Sequence, residues 1–512
     1  MKHIASKLSP LLKNPKLYLI VVCGLLLTLS VRHTLSVNSV GHSLIVVPII
    51  LTCYLGFLWV FFYLRKRQTP IEKLFLLFAI PLGIFFIIFL PPGESPDEIS
   101  HFKRAYAITE GHFVSEVYDD TRHAGAQLPA GFQDSLVLSP EPGTYSTVIS
   151  KLSESIPTET DYAAFNNTSL YHWLCYLPQI LGILLGKTFG ASLELIAYFA
   201  EIADFIVWLI LGYFAIKLAP KYKTIIVFLL LLPVTLQEAT SLAPDALAIG
   251  LGLFLTSYVC HLTYVRKTRL KSLEIVLLYV MAILVGYCKI VYLPIVILYL
   301  LIPETRFGSK RTKWIHASAL IILLLVLNLS WLATSSQFLR EFNPGVDSAA
   351  QLSGILHNPL RYLMVLFNSL NVMGEFYFSS LLGMNLGSFT FNLPAIFFFI
   401  SYGLFIVLFA QRDENLKIKP FERILFGATF CLISLLIFTS IYIQWSPVGL
   451  PYVDGVQGRY FIPILLLVPL AIIPTHSKSS SKQRSIVTLN TIACYSIALN
   501  LIAITMFFAQ NL

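Results

Sequence analysis

The feature that most constrains this chain is a series of long apolar runs that recur along its 512 residues. Many of them reach about 18 residues or more, which is the length that lets a helix cross the hydrocarbon core of a bilayer. Charged residues make up 12% of the chain, whereas soluble domains carry roughly 25%. The pattern predicts an all-α polytopic membrane protein with about 12 to 14 transmembrane helices.

The net charge of +9 comes from basic residues that lie in short clusters between the apolar runs. Such clusters are typical of cytoplasmic loops in membrane proteins, so we expect no nucleic-acid partner. The seven cysteines lie within or beside apolar segments and form no CxxC pair. This spacing indicates neither a zinc site nor a disulfide framework.

The basic clusters also predict the orientation of the chain. If all of them lie in the cytoplasm, the N-terminus is cytoplasmic, and 91–169, 335–364 and 445–458 are external. One cluster does not fit this scheme. A cytoplasmic position of Lys217, Lys221 and Lys223 requires an odd number of crossings after the external loop, and two apolar runs lie between them. Either 171–188 is re-entrant or the cluster breaks the rule.

We expect five segments. Transmembrane helices form the first, third and fifth; the second is an external loop with an acidic motif and surface helices, and the fourth is external or re-entrant. Their bounds are 1–90, 91–169, 170–334, 335–392 and 393–512.

The stretch "SPDE" follows the third apolar run. It fits a capping box in which Ser95 is the N-cap, Pro96 opens the helix, and Glu98 reaches back to the cap amide. Asp97 has no such role, so it is the residue of this motif that is left for chemistry.

A helix after this motif places Asp97, His101 and Arg104 on one side, because they are spaced i, i+4 and i+7. A carboxylate beside histidine and arginine can act as a general base on an acceptor hydroxyl. It can also hold a divalent cation. A pair of acids alone does not distinguish these roles.

Several charged residues interrupt apolar runs. Lys289 lies near the middle of one, where a charge is costly and indicates either a function or an ion pair. Asp245 follows a proline and is expected to begin a helix. Three acids share one face of another run and are expected to point inward: Glu194, Glu201 and Asp204.

The stretch "YVDGVQGRYFIP" places two glycines around Val456 and Gln457, and Arg459 then enters a helix from the predicted outer side. An outer arginine runs against the positive-inside trend. Its forked guanidinium suits a phosphate or pyrophosphate, and the alternative is an ion pair with an acid of the external loop.

Taken together, these motifs resemble a family of bacterial multi-pass membrane proteins that contain a domain of unknown function. The resemblance runs from about residue 75 to 475. It rests on the Pro-Asp97-Glu98 motif with His101, and on four further stretches: "YHWLCYLPQILGILLG", "SLAPDALAIGLG", "YCKIVYLPIVIL" and "YIQWSPVGLPYVDGVQGRYFIP". That family is similar in turn to the GT-C class of integral-membrane glycosyltransferases.

The resemblance implies a GT-C-like bundle and a role for each motif. Asp97, with Glu98, would be the acidic catalytic pair, and Arg459, with Lys289, would face a donor phosphate. The chain departs from the pattern at Glu201, where a basic residue is often found. The complete set of expected site residues is catalytic Asp97, Glu98 and His101; substrate-binding or phosphate-binding Arg104, Lys289, Gln457, Arg459 and Tyr460; and a further polar group of Asp245, Glu201 and Asp204.

The leading expectation is a glycosyltransferase at the outer membrane face that takes sugar from a polyprenyl-phosphate donor. The acceptor would be a glycan or lipid of the cell envelope. No cofactor is required by the sequence, although a divalent cation is an alternative partner of the acids. The other readings are a transporter or lipid flippase, which would show inverted repeats, and a polymerase or ligase of surface polysaccharide, whose large external loop usually comes late in the chain.

Overall fold

The computed structural model describes residues 15–38, 40–118, 123–132, 136, 143–338, 344–409, 417–472 and 482–512. The predicted cytoplasmic bases Lys2, Lys7 and Lys13 lie outside this part of the chain. The α-helices are α1 Pro15–Asn38, α2 Val40–Lys66, α3 Ile71–Phe89, α4 Glu98–Thr109, α5 Thr144–Lys151, α6 Leu177–Thr188, α7 Leu193–Leu218, α8 Lys223–Leu230, α9 Pro233–Ala239, α10 Asp245–Cys260, α11 Ser272–Cys288, α12 Lys310–Ser335, α13 Ser348–His357, α14 Pro359–Leu381, α15 Ala395–Phe409, α16 Pro420–Gln444, α17 Leu467–Ile472 and α18 Lys482–Asn511.

Tighter turns and two small sheets complete the fold. The 3-10 helices are Trp173–Tyr176, Ile290–Leu301, Glu304–Arg306, Ser336–Phe338 and Gly458–Ile464, and a π-helical turn at His261–Val265 extends α10. In the segment after α4, strands β1 Glu116–Tyr118, β2 His123–Pro129 and β3 Thr160–Ala164 form an antiparallel sheet in the order β1-β2-β3. Strands β4 Asn385–Leu386 and β5 Phe391–Asn392 form a hairpin. The predicted loop therefore contains a small sheet as well as helices.

The all-α membrane architecture predicted from the sequence is confirmed. Within the described residues, 8 helices are long and apolar enough to cross a membrane. Three shorter apolar helices lie between them, at Ser272–Cys288, Ile290–Leu301 and Ala395–Phe409. In the two spans Asp245–Val265 and Thr488–Asn511, 94% of the residues of an 18-residue apolar stretch are buried, so these helices form the centre of the bundle.

The basic clusters meet at one end of the bundle, which we call the basic end (66–73, 217–223, 261–271, 302–313 and 417–423). Lys223 lies 4.0 Å from Glu72. Arg306 donates to the Lys267 carbonyl at 2.6 Å, and Tyr264 donates to Glu422 at 2.9 Å. The cluster that resisted the sequence scheme, at 217–223, thus lies with the others.

Helix α6 bears on the two alternatives for 171–188. It has 12 residues, whereas a crossing helix needs about 20. It turns back at Gly190 and lies against α7, so closely that a Cβ at Gly182 would come within 2.3 Å of the Phe199 carbonyl oxygen. Its last turn contacts α4, because Lys187 donates to Thr109 at 2.6 Å. Of the two alternatives, this geometry favours the one in which 171–188 does not cross.

Candidate functional site

Four chain turns meet at the end of the bundle opposite the basic end, and we call this region the polar end. They are the start of α4, the α9–α10 turn, the α11 turn at Lys289, and the entry to the 3-10 helix Gly458–Ile464. Helices such as α10 run from the polar end, at Asp245, to the basic end, near Tyr264. The polar end is therefore built from helix termini.

Lys289 and Asp245 form an ion pair at the polar end. Lys289 Nζ lies 2.5 Å from Asp245 Oδ1, and the two side chains keep 16% and 9% of their surface exposed. The ammonium also lies 4.4 Å from the centre of the Tyr460 ring, a cation–π arrangement. Helix α10 begins at Asp245 as predicted, and Lys289 follows the last residue of α11.

A second ion pair joins Arg459 to Glu238 and is almost completely buried, with 5% and 0% of the side-chain surfaces exposed. The preceding residue explains how Arg459 is held. A Cβ at Gly458 would lie 2.1 Å from the Tyr377 carbonyl oxygen, and the Gly458 N–H donates to Ser380 Oγ at 2.8 Å. Only glycine lets the chain pack this closely on α14. The sequence alternative of a partner in the external loop is wrong, because Glu238 belongs to α9.

Tyrosines and one histidine link the two pairs. His101 Nδ1 lies 2.7 Å from the Tyr176 hydroxyl, and the Tyr292 hydroxyl donates to the Tyr460 carbonyl at 2.7 Å. Burial lowers the pKa of His101 to about 4, although the charge of Asp97 opposes the shift. His101 is thus neutral at physiological pH. The charges around its ring are those of Asp97, Asp245, Lys289 and Arg459.

The start of α4 differs from the predicted capping box. The helix begins at Glu98, and Asp97 precedes it in the left-handed conformation, with φ 61° and no capping hydrogen bond. Glu98 does accept from the Ser95 N–H as expected, at 2.9 Å. It also accepts from the N–H groups of Gly93 and Leu242, both at 2.9 Å. These additional partners draw the carboxylate away from a simple cap, so Glu98 ties the acidic motif to the α9–α10 turn.

Asp97 and Glu98 therefore have separate environments. Asp97 is exposed and accepts a hydrogen bond from Asn167 Nδ2 at 3.1 Å. Glu98 is buried, and burial raises its pKa even though its hydrogen bonds to Ser95, Leu242 and Gly93 oppose the shift. Of the two acids, Asp97 is the one that solvent or a substrate can reach.

Arg104 shares a helix with these residues but faces elsewhere. Its guanidinium donates to the carbonyl oxygens of His112 at 2.9 Å and Phe113 at 2.7 Å. The side chain is fully buried. Arg104 thus holds the chain that leaves α4, and the structure does not bring it to the two ion pairs.

The acids of α7 point inward, as predicted. Glu194, Glu201 and Asp204 are all buried. Asp204 lies within electrostatic range of Asp245 and Glu238, and Glu201 lies beside Glu98. The two carboxylates of Glu194 and Asp204 have no hydrogen-bond partner among the described residues. Asp204 therefore adjoins the polar end, whereas Glu201 adjoins the acidic motif.

The divalent cation that the sequence suggested as a partner of the acids remains a prediction. Across the described ranges, no group of three or more histidine, cysteine, aspartate or glutamate side chains is arranged to hold a metal ion. Asp245 and Glu238 each have a basic partner instead.

Two residues of the site were not predicted from the sequence. Glu238 directly follows an apolar stretch, and an acid at that place indicates that its charge needs a partner. Tyr171 lies within electrostatic range of Lys289, Tyr460 and Asp97. It belongs to the stretch "YHWLCY", but tyrosines in an apolar chain carry no distinctive pattern.

Comparison with known proteins gives a family and no nearer relative. The family model described as "Predicted membrane protein (DUF2142)" matches residues 80–468. No curated protein and no solved structure matches the chain. The matched region contains the acidic motif, both ion pairs and the helices that position them. The chain is therefore a member of the DUF2142 family of predicted membrane proteins.

Proposed function

We propose that this protein is a membrane glycosyltransferase that moves a sugar from a polyprenyl-phosphate donor to an acceptor of the cell envelope. One observation carries the proposal. An exposed carboxylate, Asp97, and two cations, Lys289 and Arg459, lie within electrostatic range of a single side chain, Tyr460. Carboxylate and cations at one centre suit a reaction in which a hydroxyl loses a proton while a phosphate leaves.

The position of the site along the bundle supports an external reaction. With the basic end in the cytoplasm, as the positive-inside rule requires, the polar end faces outward. Nucleotide sugars are not available there, so a lipid-linked donor is the suitable sugar source. The exposed apolar faces of the surrounding helices would accommodate its prenyl chain.

The reaction would use the residues in distinct roles. The acceptor hydroxyl approaches Asp97 from outside and transfers its proton to the carboxylate. Its oxygen forms a bond to the anomeric carbon while the bond from that carbon to the phosphate oxygen breaks. The leaving phosphate keeps the electron pair, and Lys289 and Arg459 stabilise its charge.

The ion pairs limit how a phosphate can bind. Each cation already forms an ion pair with a carboxylate. A phosphate must therefore accept hydrogen bonds from those N–H groups that the ion pairs do not use. Arg459 Nε is buried and has no partner among the described residues, and a lysine ammonium has three N–H groups. Both cations therefore have donors to offer.

The test replaces the base and leaves the fold intact. Asp97→Asn in the native host is expected to reduce the amount of the transferred glycan by about 10²-fold to 10⁴-fold, the usual contribution of a general base. Asp161→Asn, an exposed acid on β3, is the matched control and should have no effect. Envelope glycan analysis and immunoblots of the membrane fraction give the readouts. Unchanged glycans with normal Asp97→Asn protein levels would exclude this reaction.

A transporter is the second candidate, and the acids of α7 favour it. The unpartnered carboxylates of Glu194 and Asp204 lie along one helix face, an arrangement that suits a proton or cation path. Under this alternative, Asp204→Asn would abolish ion-coupled uptake in reconstituted vesicles, while Asp97→Asn would leave it unchanged. The transferase predicts the opposite order of sensitivity for glycan transfer.

A further inference from the structure

A small pocket lies beside Pro96, the residue that directly precedes the exposed Asp97. Its walls come from α9, from the end of α14, from the β4–β5 hairpin and from the turn before Arg459. The lining includes Pro96, Glu238, Gln457 and Arg459, together with Gly387 and Phe389 of the hairpin. Arg459 thus borders both this pocket and the Tyr460 side of the site.

Two buried acceptor atoms at the pocket have no hydrogen-bond partner among the described residues: Gln457 Oε1 and Glu238 Oε2. Buried polar atoms in proteins are nearly always satisfied, by protein, by water or by a ligand. The matching partner is a group that donates hydrogen bonds, as a hydroxyl does.

We propose that this pocket binds the hydroxyl groups of the donor's sugar. The inference rests on the proposed function and assigns the two halves of the donor to two places. Lys289 and the Tyr460 side of Arg459 take the phosphate, and Gln457 and Glu238 take the sugar. Pro96 lines the pocket and Asp97 follows it directly, so a sugar held here lies next to the proposed base.

The hairpin forms the outer wall and must move to admit a sugar ring, because the space as it stands is roughly that of one water molecule. Two hydrogen bonds hold the hairpin to α9: the Gly387 N–H donates to Gln237 Oε1 at 2.7 Å, and Gln237 Nε2 donates to the Gly387 carbonyl at 3.4 Å. Phe389 at its tip has φ 65°, a conformation that residues other than glycine rarely adopt. Opening the hairpin would break these two hydrogen bonds and the one from Ser388 Oγ to the Glu94 carbonyl at 3.1 Å, and it would separate Phe391 from Phe507 of α18.

The experiment compares two kinds of probe on the full-length protein in lipid nanodiscs. One is a short-chain polyprenyl phosphate, and the others are the same lipid carrying glucose, mannose, N-acetylglucosamine or a pentose. At least one sugar-bearing probe should bind about tenfold more tightly than the sugar-free lipid, as expected for one or two added hydrogen bonds. Gln457→Leu should remove this gain and keep the affinity for the sugar-free lipid. Gln127→Leu, at an exposed glutamine of β2, should keep both.

Each outcome decides a separate point. Equal binding of the sugar-free lipid and every sugar-bearing lipid would mean that the pocket holds a structural water only, and would overturn the inference while leaving the donor class intact. No binding of any prenyl phosphate would overturn the proposed donor, and the inference with it. Because the probe comparison on the unaltered protein needs no variant, it can overturn the inference even if Gln457→Leu fails to fold.

Discussion

The basic end and the polar end of the bundle both contain arginine–glutamate pairs, but they hold them in opposite surroundings. At the basic end, Arg266 lies 3.2 Å from Glu274, and each side chain keeps about a quarter of its surface exposed, 27% and 25%. At the polar end, the Arg459–Glu238 pair keeps at most 5%. Water screens the charges of the first pair. The charges of the second pair are removed from water, so each depends on its partner for compensation. The solvated pair lies among the basic clusters from which the orientation was predicted, whereas the enclosed pair lies at the candidate site.

The largest expected effect tests the premise that the two ends lie on opposite sides of the membrane. In a cysteine-free background, Asp161→Cys in β3 should react with a membrane-impermeant maleimide in intact cells. Thr69→Cys, in the α2–α3 turn at the basic end, should react only after the membrane is opened. Gel shifts of the labelled protein give the result. Labelling of Thr69→Cys in intact cells would reverse the orientation and remove the argument for an external donor.

The next effect tests the enclosed pair against the solvated one. Arg459→Met leaves the Glu238 carboxylate buried without its partner, and loss of one member of a buried pair costs about 3–5 kcal/mol. Arg266→Met should cost about 0.2–1 kcal/mol. Thermal unfolding in detergent measures both.

A double variant sharpens this result. Glu238→Leu together with Arg459→Met should recover most of the lost stability, because no buried charge remains. If the single and double variants unfold at the same temperature, the cost came from lost packing and not from an unpaired charge.

The smallest effect concerns pH at the polar end. Because burial lowers the pKa of His101 to about 4 from 6.5, the folded protein binds fewer protons than the unfolded chain between these values. Stability should therefore fall as the pH drops from about 6.5 to 4, by at most about 3.4 kcal/mol. His101→Gln should flatten this part of the profile. His316→Gln, a substitution at a histidine on α12, is the control and should retain the slope.

The sequence predicted the parts of this molecule that depend on local pattern. The apolar runs indicated a polytopic helical bundle, the proline before Asp245 indicated a helix start, and the spacing of Glu194, Glu201 and Asp204 indicated an inward face. The capping box predicted at the acidic motif was partly correct, because Glu98 does accept a hydrogen bond from the Ser95 N–H. What the motif could not indicate was the third donor, Leu242, because it lies 144 residues away.

The pairings at the polar end could not be predicted for the same reason. Arg459 and Glu238 are 221 residues apart, and Lys289 and Asp245 are 44 apart. The way the helices pack, and the places where the chain turns back, determine which helix termini come together. The alternative to a phosphate partner for Arg459 was an acid of the external loop, and the packing of Gly458 on α14 directs the side chain to Glu238 of α9 instead.

The 12-residue 3-10 helix Ile290–Leu301 has a consequence for how the chain spans distance. A 3-10 helix rises about 2.0 Å per residue, so these residues cover about 24 Å, a length for which an α-helix at 1.5 Å per residue needs about 16 residues. If these 12 residues formed an α-helix instead, the segment would be shorter by about 6 Å. Lys289 at its start would then be pulled toward the basic end and out of reach of Asp245. The stretched backbone acts as a spacer of fixed length that sets where the lysine charge lies.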